Sequence, residues 1–402
     1  MTHLIETTPD LQEFCAHLKQ QPFITVDLEF LREKTYYAEL CLIQVATAEQ
    51  AAIIDPLAPN LDLSPFFDIF NAQEIVKVFH SGRQDIEILY KLTGKIPFPI
   101  FDTQIAAMVC GYGESVGYES LVKSILKIEL DKSCRCSNWS LRPLDCKQLK
   151  YALADVTHLV HIYTHLKEEL AKSKREHWVD AETALLCSPD TYHIDPFEAW
   201  HKIKHRSHNA YMLTVLRELA AWRELRAQKK NTPRQSIIKD DCLVNIAAIC
   251  PHTADELAQI RNIRKDVASG KLAGEILDVI AACDKIKPEN YVTPPKEKSL
   301  SAGAQALYEL LKLLLKIRSQ EQGVVAKLIA SDDDLKALAT FKDKNNPVLQ
   351  DWRFDIFGRD AVELRRGSLC ICFDPAARSI AFKKTASENE AAEKQTPLIQ
   401  DL

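Results

Sequence analysis

Along Phe23-Ile24-Thr25-Val26-Asp27-Leu28-Glu29-Phe30 the side chains alternate between apolar and polar. The pattern predicts a strand with Val26, Leu28 and Phe30 on one face and Asp27 and Glu29 on the other. Two carboxylates on one face repel each other. Such a pair is tolerated if the face stays wet, if one acid is protonated, or if hard cations sit between them. A solvated strand face therefore stands beside a cation site as a reading of this stretch.

A short amphipathic helix over 11–20, with Leu11, Phe14 and Leu18 on one side, precedes the strand. The stretches 40–47 and 51–55 read as further strands, and three successive strands without an intervening helix predict an antiparallel meander. Ile75-Val76-Lys77-Val78-Phe79-His80 predicts a fourth, buried strand, which Ser81-Gly82 turns into a helix over 84–92. Asp85 then lies in a first helical turn, where the helix dipole favours a carboxylate whether or not it has a further role. A short strand or helix entry at 100–103 and helices over 103–109 and 121–126 follow. From 131 to 143 the chain turns polar and irregular, and its Arg135, Trp139 and Arg142 either clamp a polynucleotide end or pin the loop to the core. A helix over 144–170 puts Tyr151 and Asp155 one turn apart on a shared face.

The second half is helical in pattern. Helices are expected over 208–230, 241–250, 254–260 and 271–283, four in a compact all-α unit. Pro288, Pro294 and Pro295 mark a linker. Helices over 300–319, 324–330, 333–340 and 360–364 partly echo the first set, 368–373 and 379–382 form a hairpin around Asp374-Pro375, and the last twenty residues are expected to be disordered.

At 402 residues, 46% hydrophobic and 27% charged, the chain has the composition of a soluble protein of two or three domains. The net charge of −5 carries no global polyanion-binding signature, but it divides unevenly: −11 over 1–200, +5 over 201–290 and +1 beyond. An acidic front and a basic segment behind it suit metal chemistry beside a phosphate-binding module, although ordinary charge scatter gives the same figures. The start, Met1-Thr2-His3-Leu4-Ile5-Glu6, lacks the basic and apolar regions of a secretory signal, and no apolar run reaches membrane-spanning length, so a cytoplasmic protein is expected. Twelve cysteines scattered through apolar segments predict reduced, buried thiols. Cys134, Cys136 and Cys146 are the one cluster, without regular zinc-ligand spacing.

Three short pieces acquire meaning in order: Val26-Asp27-Leu28-Glu29-Phe30, His80-Ser81-Gly82-Arg83-Gln84-Asp85, and Tyr151-Ala152-Leu153-Ala154-Asp155-Val156. Together they resemble the three exonuclease motifs of the DEDD superfamily in its tyrosine-bearing subclass. With Thr35-Tyr36-Tyr37 and Leu42-Ile43-Gln44-Val45 after the first, and Trp139-Ser140-Leu141-Arg142-Pro143-Leu144 before the third, the chain resembles the ribonuclease D family. The basic helical unit at 208–285 is similar to an HRDC domain, and a divergent second copy would occupy 299–367. The likeness loosens after Phe341. Cys134 and Cys136 stand where polar residues are expected, and Asn262 stands where a turn glycine is expected, though Asn tolerates left-handed backbone.

The resemblance implies an α/β exonuclease domain, a ribonuclease H-like mixed sheet flanked by helices, at 1–195. Two all-α HRDC-type domains would follow at 205–290 and 298–385, with a disordered tail at 386–402. It implies 3′→5′ removal of nucleoside 5′-monophosphates from RNA by two-metal-ion hydrolysis with Mg²⁺ or Mn²⁺. Asp27 would bridge both ions, Glu29 and Asp155 would hold the one that makes hydroxide, and Asp85 would help to position the other. Tyr151, with an ordinary pKa near ~10, would orient the attacking water. Phe30, Leu31, Trp139, Arg142, Arg223, Lys229, Lys230 and Arg234 are the expected nucleic-acid contacts, although core packing or a solvated charged face explains each equally well. The implied partner is RNA with a 3′ extension, above all tRNA precursors, met by a monomer. A DNA exonuclease of the same superfamily and a non-catalytic nucleic-acid-binding protein are the alternatives.

Overall fold

The computed structural model describes residues 4–131, 134, 137–294 and 300–385. The expectations that fall on Arg135, Cys136 and the tail at 386–402 lie outside them.

The front of the chain runs β1 (Leu4–Ile5), α1 (Thr8–Leu18), β2 (Phe23–Leu31), β3 (Glu39–Ala46), β4 (Ala51–Ile54), α2 (Ser64–Asn71), β5 (Val76–Phe79), α3 (Arg83–Thr93), β6 (Ile100–Asp102), α4 (Thr103–Val109), α5 (Tyr118–Leu126), α6 (Cys146–Ser173) and α7 (Glu176–Thr183). The strands form one mixed sheet in the order β1-β4-β3-β2-β5-β6. Strands β2, β3 and β4 pair antiparallel, as the meander predicts, while β5 runs parallel to β2 and β1 parallel to β4. The pattern of 4–5, 64–71 and 176–183 pointed to no element. β1 is too short for a period to register. In α2, the Ser64-Pro65 opening followed by buried Phe66, Ile69 and Phe70 is a short amphipathic signal legible in retrospect.

β2 separates two environments. Ile24, Val26 and Leu28 enter a core with Leu11, Phe14, Leu18, Phe66, Ile69, Phe70, Ile86 and Leu89 from α1, α2 and α3. On the other face Thr25 Oγ1 donates to the carbonyls of Ala46 (3.2 Å) and Val156 (2.9 Å), which fixes β2 against α6. The buried strand β5 carries a lysine: Lys77 is 0% exposed, and its Nζ donates to the carbonyls of Ala72 (2.6 Å), Ile75 (2.9 Å) and Phe98 (2.6 Å). All three ammonium donors are satisfied by backbone, and burial lowers the pKa to about 8.

Behind the sheet come α8 (Ala210–Lys230), α9 (Arg234–Ile237), α10 (Asp240–Ile249), α11 (Ala254–Ala258), α12 (Lys265–Ala268) and α13 (Lys271–Cys283). The sequence pattern anticipated four of these. Helices α9 and α12 are single turns, too short to show a period. Asn262 sits at φ 66°, the left-handed geometry expected of it. These helices share a core centred on Leu213, Leu216, Leu219, Leu243, Ile246 and Ile276, which Tyr36 from the loop after β2 also enters. The Tyr36 hydroxyl donates to Glu224, Gln228 Nε2 reaches that hydroxyl at 3.2 Å, and Arg234 pairs with Glu224. The backbone N–H of Tyr37 donates to Asn231 at 3.0 Å.

By packing, residues 1–101, 130–161 and 183–297 form one unit, and 102–129, 162–182 and 298–402 a second. The described part of the second adds α14 (Ala302–Gln322), α15 (Ala326–Ile329), α16 (Asp332–Ala339), α17 (Asp351–Arg353) and α18 (Arg359–Arg365), then the hairpin β7 (Leu369–Asp374) and β8 (Ser379–Lys384). Within it Trp178 stacks on Trp352 with centroids 4.5 Å apart, and Arg353 pairs with Glu182. Gly111, at φ +83°, lies against the backbone of Gly323, and a Cβ there would stand 2.4 Å from the Gly323 carbonyl oxygen. Gly111→Ala therefore combines left-handed strain with a clash against backbone, and is expected to destabilise by about 2–4 kcal/mol. Urea unfolding checks this, and an unchanged midpoint would show that the contact yields. Among the described residues no helix is long and apolar enough to cross a membrane.

Candidate active site

Three elements deliver the acids. β2 presents Asp27 and Glu29 on the face that Thr25 pins to α6. Directly after Glu29 the register with β3 shifts: Glu29 opposes Leu42 while Phe30 opposes Leu40, so Cys41 is an extra residue and the ladder bends beside the acids. Asp85 is 8% exposed in the first turn of α3. The turn that starts this helix has no room to spare, since a Cβ on Gly82 would come within 2.4 Å of the Phe79 Cβ. From α6, Tyr151 and Asp155 point to the same side, one turn apart, and the Tyr151 hydroxyl hydrogen-bonds Asp155.

Oxygens of Asp27, Glu29 and Asp155 lie within 4.8 Å of one another, three carboxylates from two elements and 128 positions of chain. Asp85 stands outside that set, yet its charge is among those that act on Glu29. Burial, followed by repulsion from Asp27, Asp155 and Asp85, raises the Glu29 pKa to about 9. Asp27 and Asp155 are raised as well, first by burial, with the Asp27 charge adding to the effect at Asp155 and the Tyr151 hydroxyl opposing it. Neither Asp27 nor Glu29 has a Lys or Arg partner among the described residues. The phenol of Tyr151 is pushed further above its ordinary value by burial and then by Asp155, Glu29 and Asp27. It stays protonated at neutral pH and acts as a donor.

The sequence reading asked four carboxylates to meet; three do so and the fourth sits at the margin. Oxygen-only, half-buried donors suit a hard divalent cation, which would offset the burial that raises all three pKa values and the repulsion that adds to it at Glu29 and Asp155. Among the described residues this is the one group of three or more His, Cys, Asp or Glu side chains so arranged.

The expected nucleic-acid contacts fare unevenly. Trp139 is 2% exposed and packs 6.1 Å from the Tyr151 ring, so it pins its loop and presents no free face to a base. Arg142 has every donor engaged: Nε and Nη2 on the two Asp55 oxygens (2.6 and 2.7 Å), Nη1 on the Trp139 and Leu141 carbonyls (2.7 and 2.9 Å), and Nη2 also on the Cys41 carbonyl (2.8 Å). It is a structural clamp. Arg223 is 3% exposed and bonds Asp240 and the Ile238 carbonyl, and Arg234 is taken up by Glu224 and lies over the Tyr36 ring. Burial of Trp139 and Arg223, and the full engagement of the Arg142 donors, speak against the nucleic-acid contacts expected of these three residues. Phe30 packs with the β2 core, whereas Leu31, half-buried, lines a cavity with Ser137, Asn138 and Ser140. Lys229 and Lys230 are exposed at the end of α8.

Sequence reasoning missed Thr25, which positions the α6 residues against β2. Its signal was a polar residue two positions before Asp27 on the same face.

Comparison with known proteins accords with this geometry. A 3′-5′ exonuclease family model matches residues 2–171, and an HRDC domain model matches 212–280. The chain is 43% identical over 372 residues to ribonuclease D of Granulibacter bethesdensis, covering 92% of this chain and 94% of that one. It is 44% identical over 368 residues to ribonuclease D of Sphingobium indicum, covering 91% and 95%. The crystal structure of Escherichia coli RNase D, described as an exoribonuclease involved in structured RNA processing, superposes with a TM-score of 0.79 at 27% identity, covering 91% of this chain and 99% of that one. Likeness of this extent in sequence, together with a shared architecture that sets the acids of β2 and α6 side by side, means that the chain belongs to the ribonuclease D family of 3′→5′ exoribonucleases.

Proposed function

We propose that the protein trims RNA from its 3′ end by two-metal-ion hydrolysis, releasing nucleoside 5′-monophosphates, and that tRNA precursors with 3′ extensions are its substrates in the cytoplasm. The observation that carries this reading is the meeting of the Asp27, Glu29 and Asp155 oxygens beside a protonated Tyr151. Mg²⁺ or Mn²⁺ would supply an acidified water and neutralise charge that builds on the phosphate oxygens. Asp27, Glu29 and Asp155 would hold the cations, with Asp85 at the edge of the set. Tyr151 donates to Asp155 and so orients groups at the site; its raised pKa makes it a poor base, in keeping with a role for the tyrosine subclass.

The modules at 1–195, 205–290 and 298–385 belong to the same proposal. A second HRDC copy is supported by α14, which is long and side-chain-capped like α8 (Ser301 and Asn209) and is likewise followed by shorter helices. Lys229, Lys230 and Leu31 remain the proposed RNA contacts, and the protein would act as a monomer. Cysteines without a disulfide in apolar surroundings, such as Cys15, Cys41 and Cys242, suit a reducing compartment.

The test is an end-labelled single-stranded RNA and its DNA counterpart, each incubated with and without Mg²⁺. Stepwise shortening of RNA from the 3′ end that chelator stops is the expected result. No metal-dependent shortening would leave a binding protein, and equal attack on DNA would make it a DNA exonuclease of the same superfamily.

A further inference from the structure

Two cavities of the first unit adjoin and share His193 and Ile194 as lining. One, of about 300 Å³, is lined by the half-buried rings of Tyr37, Tyr90 and Tyr192 and by Lys91. Tyr90 and Tyr192 lie 5.9 Å apart and tilted at 47°, and Lys91 sits 4.1 Å from the centre of the Tyr37 ring. The other, of about 230 Å³, is lined by Arg83, Lys202, Arg223 and Arg234. Its acids are already engaged: Glu224 with Arg234, Asp240 with Arg223, Glu198 with His201, and Asp195 accepting from the Phe197 N–H. Lys202 is exposed and has no carboxylate partner among the described residues, and Arg83 has only the Thr191 carbonyl at 3.3 Å. Arg223, 3% exposed, keeps a buried Nε with no partner. The lining carries four acids against these four cations, and Arg83 and Lys202 are the two cations in it without a carboxylate partner among the described residues; beside the aromatic cavity they match the two parts of a nucleotide: a base, which stacks on any ring, and a phosphate.

We infer that the paired cavities form one nucleotide subsite for the RNA strand upstream of the scissile bond, with the base among Tyr37, Tyr90 and Tyr192 and the phosphate against Arg83 and Lys202. The inference rests on the proposal that RNA is the substrate. Its place in the fold supports it. Arg83 and Asp85 share the first turn of α3, with Cα atoms about 5–6 Å apart and side chains on different flanks. The cationic cavity thus lies at the same helix start that carries Asp85.

The experiment measures binding in chelator, so that it does not depend on catalysis. The probe is a 5′-labelled twelve-nucleotide oligoadenylate, read by fluorescence anisotropy over a series of salt concentrations. Tyr90→Leu is expected to weaken binding about tenfold with the salt slope unchanged, as loss of one stacked base does. Lys202→Ala, at an exposed position, is expected to weaken binding about threefold and to lower the salt slope by about one, the signature of one lost phosphate contact. Binding equal to wild type in both variants overturns the inference, as does a Lys202→Ala protein with an unaltered salt slope. Adenosine 5′-monophosphate competes as a second arm. If it displaces the oligonucleotide from wild type and not from Tyr90→Leu, the cavity is a site for free product and the upstream-strand assignment fails. A wild type that binds as expected but degrades no RNA in Mg²⁺ would reject the proposed function and leave the subsite standing.

Discussion

Asp155→Asn is expected to lower the rate of 3′ shortening by about 10³-fold or more while leaving RNA affinity in chelator within about twofold of wild type. Asn keeps the shape and the bond from Tyr151 but removes one of three negative oxygen donors, so the loss falls on the site's capacity to hold a cation. The same substitution has an opposite effect on folding. Asp155 sits among acids that repel it, and its carboxyl is held above its ordinary pKa by burial and by Asp27. Removing that charge should stabilise the chelated protein by about 1–3 kcal/mol. Single-turnover cleavage, filter binding and urea melts on one preparation check all three outcomes. A variant that loses stability as well as activity would make Asp155 a structural residue.

Wild type in chelator should lose stability as pH rises from about 5 to about 9. Glu29 has a folded pKa raised to about 9 from 4.5, so between those values the folded state binds the proton that the unfolded state releases. Its contribution is complete at low pH and disappears as pH climbs through the folded pKa. Asp27 and Asp155 are raised in the same direction and add to the slope. Saturating Mg²⁺ favours the ionised carboxylates and should flatten or reverse it, and Glu29→Gln should flatten it without metal. Urea midpoints at pH 5, 7 and 9, with Mg²⁺ and with chelator, decide the matter. Identical pH curves in the two conditions would mean that the acids do not act as a cation site.

Local patterns told most about the acids. Alternation along β2 placed Asp27 and Glu29 together, the Ser81-Gly82 break put Asp85 at a helix start, and the four-residue spacing aligned Tyr151 with Asp155. These depend on a few neighbouring residues, which is the range over which period is legible. The fate of the arginines depends on distant chain. Arg142 reads like any loop cation until β3 and the end of β4 bring the Cys41 carbonyl and Asp55 to it from 101 and 87 positions away. Arg223 was legible in part: it follows Leu216 and Leu219 by seven and four positions and so continues the buried stripe of α8. Its charge drew attention to solvent, whereas Asp240 compensates it inside. The two cavities escaped notice for the same reason, since Tyr37, Tyr90 and Tyr192 lie in three separate stretches that only the fold assembles.

The Tyr36 link to Glu224, Gln228 and Arg234 has a consequence for how such chains can be cut and recombined. A loop of the nuclease sheet ends inside the core of the HRDC helices, and the packing unit runs through both. A fragment that stops at residue 195 would leave the aromatic plug Tyr36, 5% exposed in the intact chain, facing water without its acceptor. Homology can draw a border there, but the physical joint does not follow it. The HRDC helices of this chain are built into the nuclease unit through the side chain at position 36, and removing them would cost the nuclease part a buried ring and its hydrogen bond.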